Sequence, residues 1–132
     1  MAETKLKRGT VTTLTIQDAI TNGQAFSSNA FGLGTDVGSE AEDWRVVVTA
    51  TAGTAIAAGE TIDVYVSQGT AVDAYDGGAA VFESTGPIDT AVLPNVDYLF
   101  SVVGDGVQTI LQGSGLARIT SANAVIILSN AA

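Results

Sequence analysis

Cysteine and histidine are both absent from the 132-residue chain. Their absence excludes disulfide bonds, thiolate nucleophiles, metal sites built on thiolate or imidazole, and every catalytic triad that uses histidine as its base. Carboxylates are the main catalytic groups left, and most of them lie in glycine-rich turns where we expect them to stay solvated and ionised. We therefore predict that the chain is not an enzyme and holds neither a cofactor nor a metal ion.

Two acidic clusters are the candidates for an exception to this prediction. Glu40, Glu42 and Asp43 form one cluster, and Asp73 and Asp76 form the other. A glycosidase needs two carboxylates that face one sugar cleft, and crowding in solvated turns does not favour that arrangement. The second cluster has oxygen ligands for Ca²⁺ but lacks the spacing and the distal glutamate of an EF-hand. An exposed loop tip is the expectation there, and a calcium-binding turn is the alternative.

Long apolar runs are also missing. No stretch approaches 18 uninterrupted apolar residues, so we expect no membrane-spanning helix and no membrane partner. The basic residues near the N terminus are not followed by an apolar segment, which argues against a secretory signal. The two prolines, Pro87 and Pro94, keep their segment off any central strand ladder.

Positive charge is scarce and unevenly distributed. Met1–Arg8 carries three of the five basic residues, Lys5, Lys7 and Arg8, against one acid, for a net charge of +2. The rest of the chain carries two arginines against 13 acids, for a net charge of −11. Such an acidic body repels phosphate backbones, so we expect no nucleic-acid partner. We predict that residues 1–8 are a basic arm that docks on an acidic neighbour; the alternative is a frayed, solvated terminus.

β-Branched residues, in contrast, are abundant in the composition. Val, Ile and Thr make up about 30% of the chain, and 15 glycines are spread along it. β-Branched side chains suit a pleated strand better than a helix, and glycine favours turns. The composition therefore predicts an all-β fold.

The clearest strand pattern runs from Asp43 to Ser67. Apolar and polar residues alternate at both ends of this stretch, around a link rich in Gly, Ala and Thr. The predicted inward residues are Trp44, Val46, Val48, Ala50, Ile62, Val64 and Val66, and the outward ones are Arg45, Val47, Thr49, Thr51, Asp63, Tyr65 and Ser67. We predict that the two strands form an antiparallel pair. Trp44, the only tryptophan, is the predicted anchor of the core.

Further short strands are predicted on both sides of this pair. They cover residues 9–16, 24–31, 79–84, 97–104, 107–112, 116–120 and 124–129. Gly104-Asp105-Gly106 and Gly113-Ser114-Gly115 supply glycine for hairpin turns. Eight or nine short strands at this spacing predict an antiparallel β-sandwich, jelly-roll or Ig-like, formed as a single domain by residues 9–132.

Aromatic residues leave a binding module open as an alternative function. Trp44, Tyr65, Tyr75 and Tyr98 are the candidates for a sugar-stacking platform in a carbohydrate-binding β-sandwich. Trp44 and Tyr98 fall on the predicted inward faces of their strands, where aromatic rings belong to the core. Tyr65 and Tyr75 are the better candidates for a surface role.

Three segments resemble small virion proteins of tailed bacteriophages, the group that includes capsid decoration or cement proteins. The segments are TIDVYVSQGTAVDAYDGGA (61–79), GPIDTAVLPNVDYLFSV (86–102) and ARITSANAVIILSN (117–130), so the resemblance covers about half the chain. It implies a jelly-roll or Ig-like sandwich on the surface of a phage head, made in the host bacterial cytoplasm. The implied partners are the major capsid protein and further copies of the chain in a dimer or trimer. A tail or fibre component is the alternative within the virion, and the resemblance offers no catalytic residues.

Overall fold

A computed structural model describes residues 13, 14, 16, 20, 23–29, 31, 43–69, 76, 87–121 and 123–130. Strands make up 57% of the described residues and helix 7%, so the predicted all-β fold is confirmed. The elements are β1 (Ala25–Ser27), β2 (Asp43–Thr51), β3 (Thr61–Gly69), a 3-10 helix (Thr90–Asn95), β4 (Asp97–Val103), β5 (Ile110–Arg118) and β6 (Asn123–Asn130). No helix in these ranges is long and apolar enough to cross a membrane.

The strands form two antiparallel sheets. The large sheet has the order β1-β6-β3-β4, and the small sheet pairs β2 with β5. This arrangement agrees with the predicted antiparallel sandwich, and the choice between a jelly-roll and an Ig-like topology stays a prediction. The predicted strands at 79–84 and over most of 9–16 lie outside the described residues, as does the basic arm.

The predicted pairing of the two strands between Asp43 and Ser67 is wrong. β2 pairs with β5, whereas β3 lies between β4 and β6 in the other sheet. The link between them carries the chain from one sheet to the other and bonds to the turn after β4: the Gly59 amide donates to the Gly104 carbonyl, and the Gly104 amide donates to the Glu60 carbonyl. Alternation along a strand fixes which side chains share a face, but it does not name the neighbouring strand.

The main core lies between the two sheets. Its buried residues are Phe31, Val48, Val64, Val66, Val102, Ala117, Ile119, Ala124 and Ile126. Trp44 is half-buried at the margin of this core, and its ring meets the Phe31 ring edge-on, with centroids 5.0 Å apart and planes at 70°. Phe31 forms a β-bridge with Ala124 of β6, so its contact with Trp44 connects the small sheet to the large one.

A second apolar cluster covers part of the other face of the large sheet, over β1 and β6. Ala25, Val125 and Ile127 are buried there with Ile88, under side chains contributed by Val92, Leu93 and Val96. Ser67 lies on the face opposite Val64 and Val66, as predicted, but the expectation that this face is solvated is wrong at Ser67. Ser67 is fully buried, and its hydroxyl donates to the Asp76 carbonyl at 2.5 Å. Coverage of β6 on both faces also accounts for its continuous apolar run.

The Gly113-Ser114-Gly115 segment is not a turn. It lies inside β5, where its residues pair with Val48, Val47 and Val46 of β2 in that order. One strand thus replaces the two that were predicted at 107–112 and 116–120. The predicted hairpin turn at residues 104–106 is also wrong: β4 and β5, which it would join, lie in different sheets. Gly106 does adopt the positive φ of 75° that favours glycine.

Candidate functional site

The predicted docking residues Lys5, Lys7 and Arg8 lie outside the described part of the chain. Tyr75 and Asp73 also lie outside it, and Asp76 is exposed. Within the described ranges, no group of three or more His, Cys, Asp or Glu side chains is placed to hold a metal ion. The candidate binding surfaces in the described part of the chain are two strand faces.

The first surface is the side of the small sheet that faces away from the core, here called the β2–β5 outer face. Successive residues of a strand point to opposite faces, so every second residue of β2 and β5 belongs to it. Its members are Asp43, Arg45, Val47, Thr49, Thr51, Ile110, Gln112, Ser114, Leu116 and Arg118, and all ten are exposed. Leu116 is 76% exposed, Ile110 60% and Val47 46%. The face therefore presents aliphatic side chains to solvent, interspersed with polar groups.

The β2–β5 outer face also carries positive charge. Arg45 and Arg118 are the two basic residues of the chain that lie outside Met1–Arg8, and both project from this face. The Arg118 Nε atom lies 3.2 Å from Asp43 Oδ1, and Arg45 Nη2 donates to Ser114 Oγ at 3.3 Å. The side chains of Arg118 and Asp43 are 67% and 69% exposed, so water screens this pair and it contributes little to stability. Both guanidinium groups remain accessible to a partner.

The second surface depends on a β-bulge in β4. Val64 pairs with Phe100, but the next residue of β3, Tyr65, pairs with Tyr98, so Leu99 is the extra residue. A bulge reverses the alternation of the strand from that point. Tyr98 consequently faces away from the core that contains Phe100 and is 57% exposed. Its predicted inward position is wrong for this reason.

The bulge brings Tyr98 into a group with Tyr65, Asp63 and Ser101, here called the tyrosine cluster. The Tyr98 and Ser101 hydroxyl oxygens lie 2.6 Å apart, and Ser101 Oγ donates to Asp63 Oδ1 at 2.6 Å. The rings of Tyr65 and Tyr98 meet edge-on, with centroids 5.7 Å apart. Tyr65 was predicted to have a surface role, and it is half-buried, with one side against the second apolar cluster. Two rings, a hydroxyl and a carboxylate thus meet beside β4.

Burial sets the electrostatics of this cluster. Partial burial raises the pKa of the Tyr65 phenol, and the negative charge of Asp63 and the neighbouring Tyr98 raise it further. Each of these effects disfavours the phenolate. Tyr65 is therefore a neutral phenol at neutral pH, and the carboxylate of Asp63 supplies the negative charge of the cluster.

A cleft of about 280 Å³ opens between the sheets near the end of β2. Its lining includes Val48, Ala50, Ile62, Leu128 and Asn130. These side chains bring no ionisable group into the cleft. Among the described residues, the lining of this cleft therefore offers shape and apolar surface without an ionisable side chain.

Sequence reasoning found half of the β2–β5 outer face and missed the other half. The outward alternation of Arg45, Val47 and Thr49 was visible in β2. The matching alternation of Leu116 and Arg118 was hidden, because the glycines of β5 were interpreted as a turn. The signal for the tyrosine cluster was still weaker, since a bulge leaves no trace in an alternating pattern.

Comparisons of the chain with protein-family profiles, with curated proteins and with solved structures gave no match. The resemblance to bacteriophage virion proteins stays a prediction.

Proposed function

We propose that this chain is a non-enzymatic structural subunit of a bacteriophage virion, of the capsid decoration type. In this proposal it docks on the major capsid protein through the β2–β5 outer face and stabilises the shell. The resemblance supplies the virion setting. The observation that supports docking is the presence of exposed aliphatic side chains and two arginines on one face of an otherwise acidic body.

The aliphatic side chains supply the affinity. Leu116, Ile110 and Val47 lose contact with water when a flat partner surface covers the small sheet. Full burial of one such side chain is worth roughly 1.5–3 kcal/mol relative to exposure. Because three aliphatic side chains lie among seven polar or charged ones on this face, the contact combines apolar packing with hydrogen bonds from Thr49, Gln112 and their neighbours.

The arginines select the partner. Arginine is enriched at protein interfaces because its planar guanidinium pairs with carboxylates in a fixed geometry. Arg45 and Arg118 favour an acidic partner surface, and the basic arm at Lys5, Lys7 and Arg8 favours the same. A second copy of this chain is also acidic, so self-association in a dimer or trimer through the same face is a competing outcome.

Sedimentation with capsids assembled without this chain tests the proposal. The full chain should pellet with such capsids, and Leu116→Asp should stop it because the substitution replaces the most exposed of the three aliphatic side chains on this face with a carboxylate. Tyr98→Ala is the matched control: it removes an exposed side chain from the other sheet and should leave sedimentation unchanged.

Three results would count against the proposal. Equal sedimentation of Leu116→Asp and the unmodified chain would remove the β2–β5 outer face as the docking site. Binding to purified tails and not to capsids would place the protein in the tail or fibre. In analytical ultracentrifugation, a dimer that Leu116→Asp dissociates would assign the face to self-association.

A further inference from the structure

The tyrosine cluster is separate from the proposed docking face. Val64 is buried toward the small sheet, and its neighbours Asp63 and Tyr65 point to the opposite face of the large sheet. Tyr98 and Ser101 lie on β4, which is the last strand of the described large sheet. A ligand bound at this cluster would leave the β2–β5 outer face free.

The hydrogen bonds of the cluster have a fixed direction. A serine hydroxyl has one proton, and Ser101 donates that proton to Asp63 Oδ1. The bond between the hydroxyls of Tyr98 and Ser101 must therefore use the Tyr98 proton. Both hydroxyl protons are committed within the cluster. The groups still open to a ligand are lone pairs on the Tyr98 hydroxyl and the carboxylate of Asp63, beside the exposed ring of Tyr98.

We propose that the tyrosine cluster is a saccharide-binding site. A pyranose ring has an apolar face of C–H groups and a rim of hydroxyl groups that donate hydrogen bonds. The exposed Tyr98 ring can stack on the apolar face, and the Asp63 carboxylate can accept hydrogen bonds from the hydroxyl groups. Apolar surface combined with a few precisely placed polar groups is a shared feature of small-molecule sites.

Each member of the cluster has a separate task. Tyr98 is the platform on which the sugar ring stacks. Asp63 accepts hydrogen bonds from sugar hydroxyls, and hydrogen bonds to an ionised acceptor are the stronger kind. Ser101 is a positioning residue, because its hydroxyl holds Asp63 Oδ1 and so fixes the orientation of the carboxylate. Tyr65 packs edge-on against Tyr98 and fixes the angle of the platform.

The bulge in β4 supports this assignment independently. Without the extra residue Leu99, the Tyr98 ring would point into the core with Phe100. The bulge instead places an aromatic ring in solvent, which costs the burial of a large apolar side chain. Bulges of this kind commonly re-aim a side chain for binding.

The test uses the full chain and an array of immobilised glycans, followed by NMR titration with the methyl glycoside of the strongest hit. The variants are Tyr98→Ala, Tyr98→Phe and Asp63→Asn. Leu116→Ala, an exposed residue on the β2–β5 outer face, is the matched control. Far-UV circular dichroism of each variant checks that it folds, and Asp63→Asn keeps an oxygen that accepts from Ser101.

The proposal predicts a ranked series. Tyr98→Ala should abolish array binding, Asp63→Asn should weaken it roughly tenfold or more through loss of a charge-assisted hydrogen bond, and Tyr98→Phe should change it little. Leu116→Ala should bind as the unmodified chain does.

Three results would overturn the proposal. The folded, unmodified chain could fail to bind any glycan, or Tyr98→Ala could leave glycan binding unchanged. The third is equal binding of Nα-acetyl-lysine amide, whose side-chain ammonium is free, with binding suppressed by salt; this would make the cluster a cation site.

Discussion

The Phe100 ring occupies the space where a side chain at Gly115 would lie. A Cβ atom built on Gly115 falls 2.6 Å from Phe100 Cδ1, and one built on Gly113 falls 3.0 Å from Val102 Cγ2. Phe100 and Val102 belong to the large sheet and the glycines to the small one. The two sheets therefore approach each other closely where β5 has no side chains.

Gly115→Ala should destabilise the fold for this reason. The added methyl group forces the Phe100 ring to move, and overpacking of this kind costs roughly 1–3 kcal/mol. Gly53→Ala is the control, because a Cβ at Gly53 has no atom within 4 Å. Urea denaturation of the two variants should show a lower free energy of unfolding for Gly115→Ala alone. Equal stability of the two would mean that the sheets can separate without cost at this point.

The Gly115 contact also shows why the sequence predicted the strands better than their partners. The alternation of β2 and β3 is a local property and was predicted correctly in β2 from Trp44 to Thr51. A glycine in the β5 sequence can indicate either a turn or a strand that another sheet approaches closely. Only the tertiary fold distinguishes the two. Pairing of β2 with β5 joins residues far apart in sequence, which no local pattern encodes.

The candidate surfaces also depend on strand pairing that no local pattern encodes. The charge imbalance between Met1–Arg8 and the rest of the chain could be counted from the sequence, but the common face of Arg45 and Arg118 could not. That face exists because Asp43 pairs with Arg118 in the register of β2 and β5. Tyr98 alternates with Phe100 in the sequence, which predicts an inward side chain. The extra residue Leu99 reverses this alternation, so the prediction fails at Tyr98.

Trp44→Ala should lower stability by less than the loss of a fully buried aromatic residue. Deleting a buried Phe or Trp costs roughly 3–5 kcal/mol. Trp44 is half-buried but retains its edge-on contact with Phe31, so we expect about 2–3 kcal/mol, measured by urea denaturation. Trp44→Phe should recover part of the loss. Fluorescence of the folded chain should be moderately blue-shifted, and emission like that of free tryptophan would contradict the packing against Phe31.

Alkaline pH should destabilise the fold through Tyr65. Its folded pKa is raised above the ordinary value of 10.0, so the folded state holds the phenol proton more tightly than the unfolded state does. The contribution to stability is complete below pH 10.0 and is lost as the pH rises through the folded pKa. Melting temperatures measured from about pH 8 to about pH 12 should fall more steeply for the unmodified chain than for Tyr65→Phe. Parallel curves would show that Tyr65 titrates alike in both states.

The last prediction concerns the two sources of positive charge. Residues 1–8 have a net charge of +2, and Arg45 and Arg118 lie together on the β2–β5 outer face of a body with a net charge of −11. If an acidic shell is the partner, both sources attract it. Individual surface ion pairs are worth only about 0–1 kcal/mol. Deleting residues 1–8, or combining Arg45→Gln with Arg118→Gln, should therefore weaken capsid binding in part while leaving the chain folded.

Salt separates attraction by charge from apolar contact. Binding of the unmodified chain should weaken as salt rises, because exposed charges are screened over roughly 10 Å at 0.1 M. The variant that lacks both arginines and residues 1–8 should bind more weakly at low salt and depend little on salt. Leu116→Asp should fail to bind capsids at every salt concentration, because it removes an apolar contact and salt screens only charges. If the charge-depleted variant binds capsids as tightly as the unmodified chain at low salt, the basic groups do not select the partner, and the choice of an acidic shell surface is wrong.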